Sequence, residues 1–420
     1  MKSRMLVLSV IVFSAASVSK VSLAQTNLPK YDLRNMQYEG AFRLPSGTFG
    51  DARVAWSEGK IAVDEENGTF FFSGSNKKSI AEFNLPEAIN ISKDLSELVM
   101  VDQPIQQFNN ILDDAETGNP NGVSNITGLG IVGGNLVVNA AVYYDANASN
   151  DHTTLLVEND KALNAATIKG YFKLEGRNRA AGWISPVPPV YQDVFGGDLI
   201  FGHASNLPIN SRSSMGPSAF LVKENDLLSA NSGDYIDSKE LLGFSINKPL
   251  HPDFENETMQ NDLWTELSQT AYGFIVPGTS TYLTIGQTGG VHSGIGYKIT
   301  QESGYQCGGF CSYDFKDYSN YVWLWDINDL IEVSKGLMDP ANIRPYYWGK
   351  IDVPFQQSDD GSYAEHRIIG GSSTQTGKLY LVIDSADSLQ SQYEDQPVVL
   401  VYDLNIDSLP MPPANFSIEN

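Results

Sequence analysis

A chain of 420 residues with 50 acidic against 27 basic side chains has a formal net charge of −23, which argues against nucleic acid and anionic membrane as partners. The composition is globular, with 41 % hydrophobic residues, 37 glycines and 20 prolines, and neither a low-complexity linker nor a charge block marks a second domain. Two cysteines are too few for a thiolate metal framework.

The first residues read as an export signal. Lys2 and Arg4 form a positive start, residues 5–16 are an apolar run too short to span a bilayer, and Ser22-Leu23-Ala24 offers a small-residue cleavage pattern. The expected organisation is a signal peptide over 1–24 and one domain over 25–420, periplasmic or secreted, with no membrane span. Removing Lys2, Arg4 and Lys20 makes the remaining chain still more acidic.

The rest of the chain repeats itself. An inner strand is expected at 60–64, 126–132, 181–187, 271–277 and 366–371. Each is followed by a turn and an apolar strand: NGTFFFSG at 67–74, GGNLVVNA at 133–140, GGDLIFGH at 196–203, STYLTIGQ at 280–287 and GKLYLVID at 377–384. Their β-branched and aromatic residues, opened by Gly or Ser/Thr, are strand signals. Third strands running into Asp/Asn and Leu follow at 79–85, 155–163, 219–228, 322–330 and 399–409. Fourth strands are expected at 97–103, 170–176, 240–246 and 346–353, one fewer than the units require. YEGAFRL at 38–44 supplies the missing one.

Four strands per unit, repeated in order and closed by an N-terminal strand, predict an all-β fold: a five-bladed β-propeller whose circular closure protects its edges. A six-bladed count requires extra strands in the long stretch 288–320, where GIGYKIT at 294–300 is the candidate. Cys307 and Cys311 lie in that insertion, and a disulfide closing their short loop is expected in an oxidising compartment.

In such a ring, the loops from fourth to first strand and from second to third strand open on one face. These are roughly 49–56, 106–125, 177–182, 257–270 and 358–367, together with 74–78, 140–152, 203–215, 287–319 and 384–396. They collect four of the five histidines, His152, His203, His292 and His366, and the arginines Arg53, Arg177, Arg179, Arg212 and Arg367. They also hold many acids, including the DDAE run at 113–116, which suits a solvated loop or a calcium site better than catalysis. Three segments stand out: 202–216 around His203 and Arg212, the glycine-rich 286–297 around His292, and 362–371 with Tyr363, Glu365, His366 and Arg367.

No P-loop, dinucleotide fingerprint, HExxH or nucleophile-elbow motif occurs. The residues that remain suit an exported carbohydrate-active enzyme acting on an anionic polysaccharide or oligosaccharide. Arg177, Arg179, Arg212 or Arg367 would bind the substrate by meeting a uronate or sulfate. His203, His292, His366 and Tyr363 would move protons in a β-elimination. A glycoside hydrolase using paired carboxylates is the sister reading. A non-catalytic glycan- or protein-recognition propeller is the alternative. A third reading is a metal-dependent hydrolase with His203, His292 and His366 around a divalent ion, the one cofactor suggested. Trp56, Trp183, Trp264, Tyr272, Tyr297 and Tyr305 lie near the expected face, where they would stack on sugar rings or pack the blades.

Overall fold

The computed structural model describes residues 28–145, 149–158, 160–203, 214–357 and 364–408. The expected leader over 1–24 lies outside them, as do Arg212 and Tyr363. Five antiparallel sheets of the expected order form a five-bladed β-propeller. Blade 1 comprises Ile61–Asp64, Thr69–Ser73, Ser79–Asn84 and Gln106–Asn110. Blade 2 comprises Asn125–Val132, Asn135–Ala141, His152–Glu158 and Thr167–Leu174. Blade 3 comprises Ile184–Pro186, Leu199–His203, Ser218–Val222 and Lys239–Leu242. Blade 4 comprises Gln269–Ile275, Thr281–Gly289, Tyr318–Asp326 and Tyr347–Lys350. In blade 5, Ile368–Ser373, Lys378–Asp387 and Gln396–Asp403 are completed by the N-terminal strand Gln37–Arg43.

Both faces of each blade are covered, which explains why strands such as TFFFS lack a polar face. Side chains point alternately to the two neighbouring blades. Phe70 and Phe72 pack with Phe42, Val399 and Val401 at the seam between blades 5 and 1. Phe71, between them, packs with Leu136 and Val138 of blade 2. Separate clusters fill the other three seams, so five hydrophobic cores replace one central core. At the axis, successive inner strands touch each other all the way round. Glycine permits the closest approach: a Cβ on Gly128 would lie 1.8 Å from the Gly182 carbonyl oxygen, and one on Gly370 would lie 1.9 Å from that of Gly59.

Three expectations need correction. Residues 97–103 do not form the outer strand of blade 1; only Val99–Met100 are extended, and they pair in parallel with Phe42–Arg43 at the edge of blade 5. The true outer strand is the polar QQFNN, where Gln106 reaches Glu82 and the Asp160 carbonyl while Asn109 bonds the Leu163 carbonyl. Its polarity hid it, because these side chains tie one blade to the next instead of filling a core. The Asp/Asn-Leu tails of the third strands are helical turns: Asp160–Ala165, Glu224–Ser229, Ile327–Ser334 and Ile406–Ser408. The Ile327–Ser334 helix starts where the Asp326 carboxylate accepts the Asn328 N–H at 2.9 Å. Finally, Ile295–Tyr297 pairs with Phe310–Ser312 in a two-stranded ribbon, so the insertion adds a hairpin and not a sixth blade.

The Cys307–Cys311 disulfide is formed within this hairpin. No described helix is long and apolar enough to cross a membrane.

Ring closure joins residues more than 340 positions apart. Gln37–Arg43 pairs along Gln396–Asp403, with a bulge between Tyr38 and Gly40. Arg43 then donates Nε to Asp387 Oδ2 at 2.8 Å and a terminal nitrogen to Oδ1 at 3.0 Å, and the Asp387 side chain is fully buried. Removing one partner of such a pair strands a charge without solvent. Arg43→Met should therefore lower unfolding stability by roughly 3–5 kcal/mol in urea titrations, whereas Arg43→Met with Asp387→Leu should recover much of the loss. Equal stability of wild type and single variant would contradict this role.

Candidate functional site

The antiparallel order sends the connections expected to share a face to one end of the ring, and contacts between them confirm it. Arg53, before the first inner strand, pairs with Glu394 of the blade 5 connection, and Asn121 Nδ2 lies 3.1 Å from His152 Nδ1. Lys350 and Glu365 pair across the blade 4 to blade 5 junction at 2.6 Å.

At the axial end of this mouth stands Lys60, the residue before the first inner strand. Its ammonium donates to the Ile369 carbonyl at 2.6 Å, a neutral partner. Burial pushes its pKa down, Glu58 opposes that shift, and the Arg367 cation adds to it. His203 closes the second strand of blade 3 and is 3 % exposed. Burial, followed by the Arg179 and Lys60 cations, lowers its pKa to about 4, so the ring stays neutral near pH 7. Its backbone carbonyl accepts the Thr270 hydroxyl at 3.1 Å.

Beside this axis, a cavity of about 530 Å³ opens between blades 4 and 5. Tyr318, Glu365, His366, Arg367, Asp384 and Asp395 line it. Arg367 pairs with Asp384 at 2.8 Å, and Glu365 is held by Lys350. The backbone fixes His366 from both sides: its N–H donates to the Gln356 carbonyl at 2.6 Å, and its carbonyl accepts Asn320 Nδ2 at 2.9 Å. The Tyr318 hydroxyl accepts the Ser312 N–H at 3.2 Å. A larger groove, about 720 Å³, runs past residues 93–96 and 353–357, but no histidine, tyrosine or arginine lines it.

The candidate residues thus divide. His366 and Arg367 share the cavity, while His203 stands apart from it within the electrostatic reach of Arg179 and Lys60. Arg179 is paired with Glu240, and its guanidinium lies 5.3 Å from the Phe220 ring centroid. Arg177 is exposed, on a backbone with φ of 52°. His292 is also exposed, and the glycine-rich turn that carries it is filled by this chain: Asp317 Oδ2 accepts the N–H groups of His292 at 2.9 Å and Ser293 at 2.7 Å. The turn expected to cradle a ligand cradles a carboxylate of its own insertion.

His203, His292 and His366 are not brought together. Among the described residues, no three His, Cys, Asp or Glu side chains are grouped to hold a metal ion. In the DDAE run, Asp113 is paired with Lys78 at 3.0 Å. Trp183, Trp264 and Tyr272 are buried in blade seams, whereas Trp56, Tyr297 and Tyr305 are exposed.

The fold, a β-propeller, is read from its own sheets. No family model matches the chain, and no curated protein matches it. Among solved structures it is similar to an endo-arabinase from Bacteroides thetaiotaomicron, with 11 % identity and a TM-score of 0.38 over 89 % of this chain and 100 % of that one. It is also similar to the PQQ-bound aldose sugar dehydrogenase of Streptomyces coelicolor, with 10 % identity and a TM-score of 0.33 over 91 % and 96 %. A luciferin-regenerating enzyme gives 8 % identity and a TM-score of 0.31 over 89 % and 94 %. Such distant likenesses leave the chemistry of the mouth to be read from its own residues.

The neutral His203 has a thermodynamic consequence. As pH falls below the ordinary value of 6.5, the unfolded chain takes up a proton that the folded chain refuses until about 4. The stability tied to the neutral ring is therefore complete above 6.5 and is lost progressively between 6.5 and about 4. It amounts to roughly 3 kcal/mol at about 1.4 kcal/mol per pKa unit. Urea unfolding at pH 7 and 4.5 should show a shallower pH dependence for His203→Gln than for wild type. Parallel losses would place the neutral ring outside the acid response.

Proposed function

We propose that this chain is an exported enzyme that cleaves an anionic polysaccharide by β-elimination in the cavity between blades 4 and 5. The observation that carries the proposal is the gathering of His366, Tyr318 and Arg367 in one cavity beside Lys60, in a chain whose net charge is −23. Arg367, paired with Asp384 among the carboxylates of the wall, and Lys60, whose hydrogen-bond partner is a neutral carbonyl, are the cations that an anionic group would meet there. The disulfide supports an oxidising compartment.

In this reading a uronate carboxylate lies against Arg367, with Lys60 adding positive potential from the axis. Both favour the extra negative charge that builds up when the neighbouring carbon loses its proton. His366 removes that proton. The electron pair left behind forms the carbon–carbon double bond as the glycosidic carbon–oxygen bond breaks, and Tyr318 gives its hydroxyl proton to the departing oxygen. The Tyr318 oxygen already accepts a backbone N–H, which leaves its own O–H as the donor. His203 remains a neutral ring against the Lys60 side of the site.

A hydrolase is the second reading, favoured by Glu365, Asp384 and Asp395 on the wall of the same cavity.

Incubation with a panel of uronate-containing and sulfated polysaccharides, following ultraviolet absorbance and reducing ends together, separates the two readings. Elimination raises both signals, and His366→Ala should then lower the rate by roughly 10²–10⁴-fold in a protein with an unchanged folded spectrum. Reducing ends without absorbance would replace elimination by hydrolysis and transfer the loss to Glu365→Gln. Silence across the panel would overturn catalysis.

A further inference from the structure

Trp56 is an unusual residue to leave on a surface. It is 56 % exposed, and its backbone has φ of 60°. A bulky side chain seldom takes that left-handed conformation, and such outliers persist where the surroundings enforce them. The surroundings are on the same connection. Arg53 places its guanidinium carbon 5.5 Å from the Trp56 ring centroid, and Arg53 is itself fixed by Glu394 and by Thr48 at 3.0 Å. One side of the indole is thus backed by a cation held in place, and the residue is still more than half exposed.

Its position gives this geometry a use. Trp56 and Lys60 lie on one connection, four positions apart, with Gly59 also left-handed, so the same short segment carries an exposed aromatic ring and an ammonium that reaches the Ile369 carbonyl of blade 5. On the other side, Glu394 precedes Asp395, which lines the cavity holding His366 and Arg367. Two side-chain contacts, Glu394 to Arg53 and Arg53 to Trp56, therefore lead from the cavity rim to the ring.

We infer that Trp56 is the platform of a second carbohydrate subsite, on which a sugar unit next to the one in the cavity stacks its apolar C–H face. A pyranose offers alternating polar edges and an apolar face, and a rigid indole covers that face with little ordering of its own. The inference rests on the proposed action on an anionic glycan and extends it: the site takes an oligosaccharide, not a lone uronate.

The test uses hexasaccharides and disaccharides of polygalacturonate and alginate, with binding followed by calorimetry and by tryptophan fluorescence. Trp183, Trp264, Trp323 and Trp325 are buried, so the exposed Trp56 and Trp348 dominate any ligand-dependent change, and Trp56→Phe separates them. The expected result is a fluorescence change with a hexasaccharide in wild type that disappears in Trp56→Phe. Trp56→Ala should weaken hexasaccharide binding about tenfold and leave the disaccharide within twofold, while Trp56→Phe, which keeps a ring, retains most of the affinity. If Trp56→Ala does not fold, the wild-type and Trp56→Phe fluorescence comparison still decides. Hexasaccharide binding that is unchanged in Trp56→Ala and silent in fluorescence would overturn the platform and leave the proposed activity standing. Calorimetric silence with both lengths of both glycans would overturn the anionic-glycan reading and the platform with it.

Discussion

The last sheet of this ring is completed by its first strand, and one buried ion pair sits at that junction. Arg43 ends the N-terminal strand, Asp387 ends the second strand of blade 5, and the carboxylate is sealed from solvent. Hydrogen bonds along Gln37–Arg43 and Gln396–Asp403 give the seam its length, while the ion pair sets its register at the mouth end. Tyr31 and Asn405 fasten the opposite end, the first through its hydroxyl on the Leu404 carbonyl at 3.1 Å and the second through the Asn35 carbonyl at 2.7 Å.

Closure also determines where the chemistry falls. Five seams pack separately, so each blade is positioned by its two neighbours, and the strand ends at the mouth inherit that rigidity. Lys60 belongs to blade 1 and bonds a carbonyl of blade 5, and its field reaches His203 of blade 3. A cation with a neutral partner and a neutral imidazole can coexist there because burial disfavours the second charge. The neighbouring cavity draws on blades 4 and 5, where Arg367 is fixed by Asp384 of the adjacent strand. Rigid strands hold the axial groups, and the longer connections supply the wall.

The blades were legible because their second and third strands bury both faces, which writes nearly continuous apolar runs between turn residues. The outer strand of blade 1 was not, since QQFNN works through side-chain amides and carries a single buried Phe108. The shared face followed from strand order alone; it brings His366 and Arg367 into one cavity but leaves His203 and Arg179 outside that lining. Lys60 was missed because it reads as the first residue of a strand; only the paired glycine approach of Gly59 and Gly370 places it at the axis. His292 misled for the opposite reason. A glycine-rich loop signals close backbone approach, but the sequence does not say by what, and here the visitor is Asp317. Asp384 and Asp395 were two acids among 50 and carried no distinguishing pattern.

The proposed function gives Lys60, at the axis of an acidic propeller, the part of attracting an anion. Calorimetric titration of wild type and Lys60→Gln with a uronate oligosaccharide and its carboxyl-reduced, neutral counterpart tests it most directly. The account predicts that wild type prefers the uronate form and that Lys60→Gln removes most of the preference while binding the neutral form as before. Equal affinity of wild type for both forms, or a preference untouched by the substitution, would contradict it.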